Sequence, residues 1–273
     1  TALVTGAGNM SINELDDITI AYIETAEGEI SLTAGGAISE DGDLAPDVKA
    51  NSLTVTAVSG IDLDVHVNSL RAENTALGDI SIDAMFESAV SDPEKTLIIT
   101  GLANSAPAGS IRLLLHDFVN DDLVTPEPKP RVTDWNMVIA GPVTANEGQV
   151  DLRADGHLDV NADVVSIGGD IYLEANYDRD CHGKFTEAGT AKIYTAEYGT
   201  EPLTGSVTIF SGGTAILSSI RTSSLHVENT CPYGFICDDR DHSTYLTANE
   251  ITLISEAGIC LSLIHISEPT RPY

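Results

Sequence analysis

Basic residues are scarce in this sequence. The 273 residues include 13 Lys and Arg against 42 Asp and Glu, which gives a formal charge of −29. A protein that binds the nucleic-acid backbone needs a basic patch to displace counterions, so this balance excludes that class. The same acidity argues against docking on an anionic membrane leaflet. We therefore expect no nucleic-acid partner and no membrane insertion of this segment.

Aromatic residues and helical patterns are also rare. Phe, Trp and Tyr make up 5% of the chain while hydrophobic residues make up 42%, so a core has to be built from small and branched aliphatic side chains. No window shows the i, i+3, i+4, i+7 stripe of an amphipathic helix. The sequence also has no Gly-x-Ser-x-Gly elbow, P-loop or HExxH motif, so no catalytic residue is predicted.

A short phrase recurs along the chain: Gly, a polar residue, Ile or Val, a polar residue and an aliphatic residue. Copies begin at Gly28, Gly78, Gly109, Gly148, Gly169 and Gly205, and a last copy without the glycine begins at Asn249. Strict alternation of this kind is typical of a strand with one buried face. Glycine suits the tight corner that would precede each strand. Companion strands are predicted at 53–57, 61–65, 97–99, 158–160 and 225–227.

Many short strands fit two architectures. A sandwich or barrel would place hairpin turns between longer strands. A parallel β-solenoid instead needs short strands, tight corners and small aliphatic side chains stacked inside it. The motif glycines are 50, 31, 39, 21 and 36 residues apart, which indicates coils of about 20 residues with loops inserted in some of them. We predict an all-β fold, a parallel β-helix with loop insertions and about ten to twelve coils.

Residues 48–63, together with 67–72 and 78–82, resemble the repeats of filamentous-haemagglutinin-like and adhesin-like bacterial surface proteins. The likeness is close over 25–115 and loose over 140–260. It implies a right-handed parallel β-helix, export to the cell surface and a role as a stalk or adhesive surface. The expected partners are cell-surface or matrix ligands (glycans or other proteins) and the remainder of its own chain. The family supplies no catalytic motif that could be transferred to positions here.

The last thirteen residues, 261–273, resemble the translation of a transposase adapter used in preparing sequencing libraries. The resemblance runs residue for residue and implies a non-native tail. Residues 1–260 are then expected to form a single β-solenoid segment that is open at both ends.

Three segments depart from the repeat pattern: 116–134, 176–202 and 229–243. We predict that they are insertions, and function on solenoids usually lies in such loops. The first contains alternating prolines, which favour an extended excursion that cannot join a strand ladder. Trp135, which follows it, is expected to cap a coil and not to bind a ligand.

The four cysteines lie in or near the last two of these segments. Cys231 and Cys237 are spaced for a small disulfide-closed loop, which would leave Cys181 to pair with Cys260 or to remain single. Four cysteines allow three connectivities, and the sequence does not choose among them. A zinc site of Cys181, His182, Cys231 and Cys237 is the alternative, although it lacks the usual CxxC or HxxxH spacing. The extracellular setting implied by the resemblance favours disulfides.

Carboxylates cluster at several turns. Candidate ligands of a weak calcium site are Asp41, Asp43, Asp238, Asp239 and Asp241, because calcium takes six to eight oxygen ligands from flexible loops. Neither the EF-hand pattern nor the Gly-Gly-x-Gly-x-Asp nonapeptide is present. The alternative is that these acids are simply solvated at turns, where they favour solubility.

Three functions follow from these observations. The favoured one is a non-enzymatic structural or adhesive segment of a large exported cell-surface repeat protein. A polysaccharide lyase or glycoside hydrolase on a β-helix is the second, and its paired acids would come from Asp178, Asp180, Asp238 and Asp241. A calcium-binding surface repeat is the third. No cofactor is expected apart from calcium.

Overall fold

The computed structural model describes residues 2–4, 8–43, 45–86, 96–117, 135–178, 181–197, 201–239 and 245–261. Every strand pairing in these ranges is parallel. The strands join into one continuous sheet that winds into a β-helix. The predicted all-β parallel fold is therefore confirmed, and a hairpin-built sandwich or barrel is excluded for this part of the chain. Its right-handed sense stays a prediction.

Twenty-five strands are present in the described ranges. In chain order they are β1 (Ala2–Val4), β2 (Met10–Glu14), β3 (Ile18–Ile20), β4 (Ile23–Thr25), β5 (Glu29–Ala34), β6 (Ile38–Glu40), β7 (Val48–Ala57), β8 (Ile61–Asn74), β9 (Ile80–Phe86), β10 (Thr96–Asp117), β11 (Asn136–Ile139), β12 (Val143–Ala154), β13 (Leu158–Val160), β14 (Val164–Ile167), β15 (Ile171–Ala175), β16 (Phe185–Glu187), β17 (Ile193–Tyr194), β18 (Ser206–Ser211), β19 (Ala215–Leu217), β20 (Ser219–Arg221), β21 (Ser224–Asn229), β22 (Ile236–Asp238), β23 (Tyr245–Thr247), β24 (Glu250–Ile254) and β25 (Ile259–Cys260). No helix long and apolar enough to cross a membrane occurs among the residues described.

Each coil contributes strands to three faces. In the C-terminal half, β13, β16, β19, β22 and β25 pair along the first face, and β14, β17, β20 and β23 along the second. The third face can be followed through ten coils: β3, β6, the start of β8, β9, the ends of β10 and β12, β15, β18, β21 and β24. At the usual spacing between strands, ten coils form a rod on the order of 50 Å long.

Aliphatic residues stack at the inward positions of the third face. One ladder consists of Ile61, Ile80, Ile111, Val150, Ile171, Val207 and Leu225, which lie in register from coil to coil. All of them are almost completely buried. Burying one such side chain stabilises the fold by about 1.5–3 kcal/mol, so the ladders explain how a chain with few aromatic residues builds a continuous core.

The motif glycines stack on one another at a corner. Six of the seven motif copies open strands of the third face, and their irregular spacing reflects coils of unequal length. A Cβ at Gly148 would overlap the carbonyl oxygen of Gly109, and a Cβ at Gly169 would overlap that of Gly148. The backbones of successive coils come so close here that the corner leaves no room for a side chain.

Buried polar side chains satisfy the backbone at the corner between the second and third faces. The Asn74 side-chain amide donates to the carbonyl of Gly78 (2.9 Å) and to Oδ1 of Asn104 (3.1 Å). Several coils later, the Thr195 hydroxyl donates to that of Thr222 (2.9 Å). An unpaired buried backbone group is costly. These side-chain hydrogen bonds therefore stabilise a corner whose backbone groups are not all paired by strand hydrogen bonds.

Two of the three predicted insertions instead contribute strands. Segment 176–202 contains β16 and β17, and 229–243 contains β22. The side chains of Phe185, Ile193 and Ile236 are fully buried, so the insertion prediction was wrong at these strands. Strands of two or three residues carry too little alternation to be recognised in a sequence. Of 116–134, only 116 and 117 are described, at the end of β10.

Trp135, which we expected to cap a coil, lies in the interior. Its side chain is fully buried. Its ring stacks on that of Phe86, with centroids 4.8 Å apart. The indole therefore packs inside the coil and does not offer a surface to a ligand.

The stacked glycines give a direct test of the corner. Replacing Gly148→Ala places a methyl group against backbone atoms of Gly109, which no side-chain rotation can relieve. We expect a loss of about 2 kcal/mol or more, and a melting temperature lower by about 5 °C in a circular-dichroism melt. The control is Gly42→Ala, where nothing lies within 4 Å and only a positive φ of 89° opposes the methyl group. An equal loss in both variants would contradict the stacking explanation.

Candidate functional site

Six outward side chains form a continuous strip on the C-terminal half of the third face. We call it the aromatic strip; its members are Arg153, Tyr172, Glu174, Phe210, His226 and Glu228. They come from β12, β15, β18 and β21, and Arg153, Glu174, Phe210 and Glu228 occupy the same register position on four successive coils. The strip thus joins residues that are up to 75 positions apart in the chain.

The rings of the strip touch one another. The centroids of Tyr172 and Phe210 are 5.5 Å apart at an interplanar angle of 43°, and those of Phe210 and His226 are 5.8 Å apart at 56°. At one end, the guanidinium of Arg153 lies 4.4 Å above the ring of Tyr172 and 5.6 Å from that of Tyr177. Tilted pairs at these distances are favourable aromatic contacts that leave part of each ring face uncovered.

Hydrogen bonds hold the polar members of the strip in place. Arg153 donates two hydrogen bonds of 2.7 Å to the carboxylate of Asp151, and its Nη1 lies 3.9 Å from Oε2 of Glu174. The Tyr172 hydroxyl donates to the same Oε2 (2.9 Å). Hydrogen bonding to Asp151 raises the pKa of Arg153, and burial together with Glu174 raises the pKa of Tyr172. Arg153 therefore stays cationic, and Tyr172 stays protonated as a donor.

A cavity of about 340 Å³ opens on this strip. It is lined by Tyr172, Glu174, Phe210, Glu228, Thr230 and the two half-cystines Cys181 and Cys231. Oε2 of Glu228 also lies 3.2 Å from Nε2 of His226, which is not part of the cavity lining. Rings, carboxylates and a disulfide thus surround a single concave space.

Both disulfides join residues of different coils. Cys181 is bonded to Cys231, with Cα atoms 5.6 Å apart, and Cys237 is bonded to Cys260, with Cα atoms 4.6 Å apart. Cys231 and Cys237 are both disulfide-bonded, but the predicted bond between them was wrong. Cys237 and Cys260 are register partners on adjacent strands of the first face. Stacking therefore brings together cysteines that are 50 and 23 residues apart in the chain.

A cluster of acidic residues lies near the N-terminal end of the third face. The backbone N–H of Asp64 donates to Oδ2 of Asp47 (3.4 Å), and both side chains are buried. Burial, with the negative charges of Glu40, Asp41 and Asp43, raises the pKa of Asp47 to about 7. Burial, with Glu40 and other acids, raises the pKa of Asp64 to about 8. Close carboxyls with so little solvent hold protons near neutral pH.

Glu187 is a further buried acid that the sequence did not single out. Its carboxylate accepts hydrogen bonds from the backbone N–H groups of Ser218 (2.7 Å) and Ser219 (2.9 Å). Burial raises its pKa to about 8. It satisfies the backbone at the junction of β19 and β20, which is a structural role.

The structure describes four of the five predicted calcium ligands: Asp41, Asp43, Asp238 and Asp239, the last directly after β22. Asp41 and Asp43 are exposed at the turn after β6, where Asp43 Oδ1 accepts the backbone N–H of Ala45 (2.8 Å). Asp238 is buried in β22, and Asp241 lies outside the described residues. Within the described ranges, no group of three or more His, Cys, Asp or Glu residues has the geometry to hold a metal ion. Calcium binding stays a prediction.

Of the four acids predicted to supply a hydrolytic pair, the structure describes two, Asp178 and Asp238. Asp178 is exposed and Asp238 is buried, and neither lines the cavity. Asp180 and Asp241 lie outside the described residues. The strip itself was missed because each of its rings stands in an ordinary outward position of a repeat. Alternation marks such positions as outward, but only the coil register shows that they are neighbours.

Comparisons with known proteins add no identity to this geometry. No family model, curated protein or solved structure matches the chain. The fold, the disulfides and the aromatic strip are therefore the features that bear on its function.

The buried acids predict that the fold is less stable at alkaline than at acidic pH. The folded state binds protons at Asp47 and Asp64 more tightly than the unfolded chain, so stability falls as the pH rises from about 4 to about 8. We expect the melting temperature to drop by at least about 4 °C between pH 5.5 and pH 8. The double variant Asp47→Asn with Asp64→Asn should melt higher at pH 8 and show a shallower pH dependence. Glu250→Gln, a change at an exposed acid of β24 near the other end of the rod, is the control. An unchanged slope in the double variant would refute the assignment.

Proposed function

We propose that this chain is a non-enzymatic structural and adhesive segment of a large exported cell-surface repeat protein. The observation that carries the proposal is the pairing of all four cysteines in two disulfides that join different coils. Disulfides persist in oxidising environments such as the extracellular space and are rare in reducing ones. The bonds therefore support an extracellular setting for the rod.

The architecture supports a structural role. Each coil contacts mainly the coils before and after it, and repetition of this unit extends the rod without a new core. The chain carries a net charge of −29, and most of the acids that the structure describes stand at outward positions and turns, since the inward positions are filled by aliphatic ladders. Such a surface is well solvated and repels copies of itself.

The geometry of the aromatic strip favours binding over hydrolysis. Its two carboxylates, Glu174 and Glu228, stand on the same face with Phe210 between them, at positions about 10 Å apart by coil spacing. A glycoside hydrolase holds its two acids on either side of the scissile bond, and its general acid usually stands in an apolar pocket. Glu174 instead accepts from Tyr172 beside Arg153. The strip therefore presents Glu174 and Glu228 on one surface, whereas a hydrolase places its acids on either side of the bond.

The proposal predicts two disulfides and no bond cleavage. Protein produced in the oxidising bacterial periplasm should contain the Cys181–Cys231 and Cys237–Cys260 linkages, mapped by mass spectrometry of unreduced peptides. Reduction should destabilise the fold by about 2–4 kcal/mol, seen as a lower melting temperature. Incubation with neutral and acidic polysaccharides should release no reducing ends and no unsaturated products.

Two results would overturn the proposal. The first is a folded protein whose four thiols are reduced and hold zinc in a one-to-one ratio. The second is release of sugar products that is lost on Glu174→Gln or Glu228→Gln but retained in Asp79→Asn, a change at an exposed acid elsewhere on the rod.

A further inference from the structure

We propose that the aromatic strip is a binding site for neutral saccharides. This inference rests on the proposed function, whose adhesive surface it locates and whose ligand class it names. Four observations carry it: the run of rings, the carboxylates between them, the compensated charge and the rigid cavity.

The rings supply the apolar part of the site. Phe210 lies at the centre, between Tyr172 and His226, and none of the three is fully buried. The carbon-bound hydrogens of a sugar ring form an apolar face that packs on the negative face of an aromatic ring. Because the three rings come from successive coils and lie at an angle to one another, they can contact successive sugar units along the rod.

The carboxylates supply the polar part. An ionised carboxylate has about four acceptor positions. The contacts of Glu174 with Tyr172 and Arg153, and that of Glu228 with His226, involve only Oε2 in each case. Both residues line the cavity, and their carboxylates are the acceptors for sugar hydroxyls there. Tyr172 and Arg153, held in place by their own contacts, fix the direction in which Glu174 accepts.

Charge selects neutral sugars over acidic ones. The chain carries a net charge of −29, and two carboxylates line the cavity itself, so uronic acids and sulfated sugars are repelled. A basic peptide is disfavoured for a different reason. Arg153 already stands beside Glu174, and a second cation would face it.

The disulfide makes the site rigid. Cys181 and Cys231 line the cavity and link the segment after β15 to the segment after β21. Ala175, Ser211 and Asn229 are register partners on three successive coils, so this bond spans the coil between them. A volume of about 340 Å³ is within the range of small-molecule pockets. A site that is already formed loses little freedom when a ligand binds.

The test measures binding to neutral hexasaccharides by isothermal titration calorimetry. The probes are the hexamers of glucose, mannose, galactose, xylose and N-acetylglucosamine, with a hyaluronate hexamer and a hexalysine peptide for comparison. At least one neutral hexamer should bind the oxidised protein, and the acidic hexamer should not. Phe210→Ala should weaken that binding about 10-fold or more, and Glu228→Gln about 3-fold or more. Tyr245→Ala, an exposed ring of β23 on the second face, should bind like the unmodified protein.

Folding and function are separated by further measurements. Phe210→Tyr keeps a ring at the centre and should restore most of the binding if Phe210→Ala proves unstable. Absence of binding to all five neutral hexamers at millimolar concentration would overturn the saccharide site, while the disulfide map and the lack of cleavage would leave the proposed function intact. Binding confined to hexalysine would overturn it in favour of a protein ligand. Binding accompanied by cleavage would keep the site and remove the non-enzymatic function.

Discussion

Register between successive coils is the constraint on which the whole structure depends. Each strand hydrogen-bonds to the equivalent strand of the next coil, so every residue lies directly over a counterpart. A position that suits an aliphatic side chain in one coil suits one in the next, and the ladder from Ile61 to Leu225 follows. Where successive backbones are in contact, at Gly109, Gly148 and Gly169, the same register leaves no room for a side chain.

The same constraint assembles the outward surface. Arg153, Glu174, Phe210 and Glu228 are unrelated in the linear chain but adjacent in space, because each occupies one register position on successive coils. The lengths of the connecting segments do not affect this adjacency. A solenoid can therefore lengthen or shorten its loops freely and keep a surface site, provided that the strands return to register.

The sequence was sufficient for the fold but not for the site. Alternation and the recurring glycine predicted strands at 53–57, 61–65 and 158–160, all of which are present, because a buried face leaves a local periodicity. The strands β16, β17 and β22 were missed, since two or three residues show little periodicity; 158–160 is equally short but comes soon after the clear repeat at 148–154. The aromatic strip and the disulfide pairing depend on which coils are adjacent. Coil adjacency depends on the lengths of the connecting segments, and these segments have no repeat pattern of their own.

The pairing of cysteines across coils has a mechanical consequence. A rod of stacked coils that is pulled along its axis gives way at an end, because an end coil is held by only one neighbour. The Cys237–Cys260 bond ties β22 to β25, and the Cys181–Cys231 bond closes a span of 50 residues over one further coil. Peeling that starts beyond Cys260 would be arrested at the first covalent link, with the coils that present the aromatic strip still wound. The crosslinked half of the rod is thus the half suited to carry a load, and it is also the half that presents the aromatic strip.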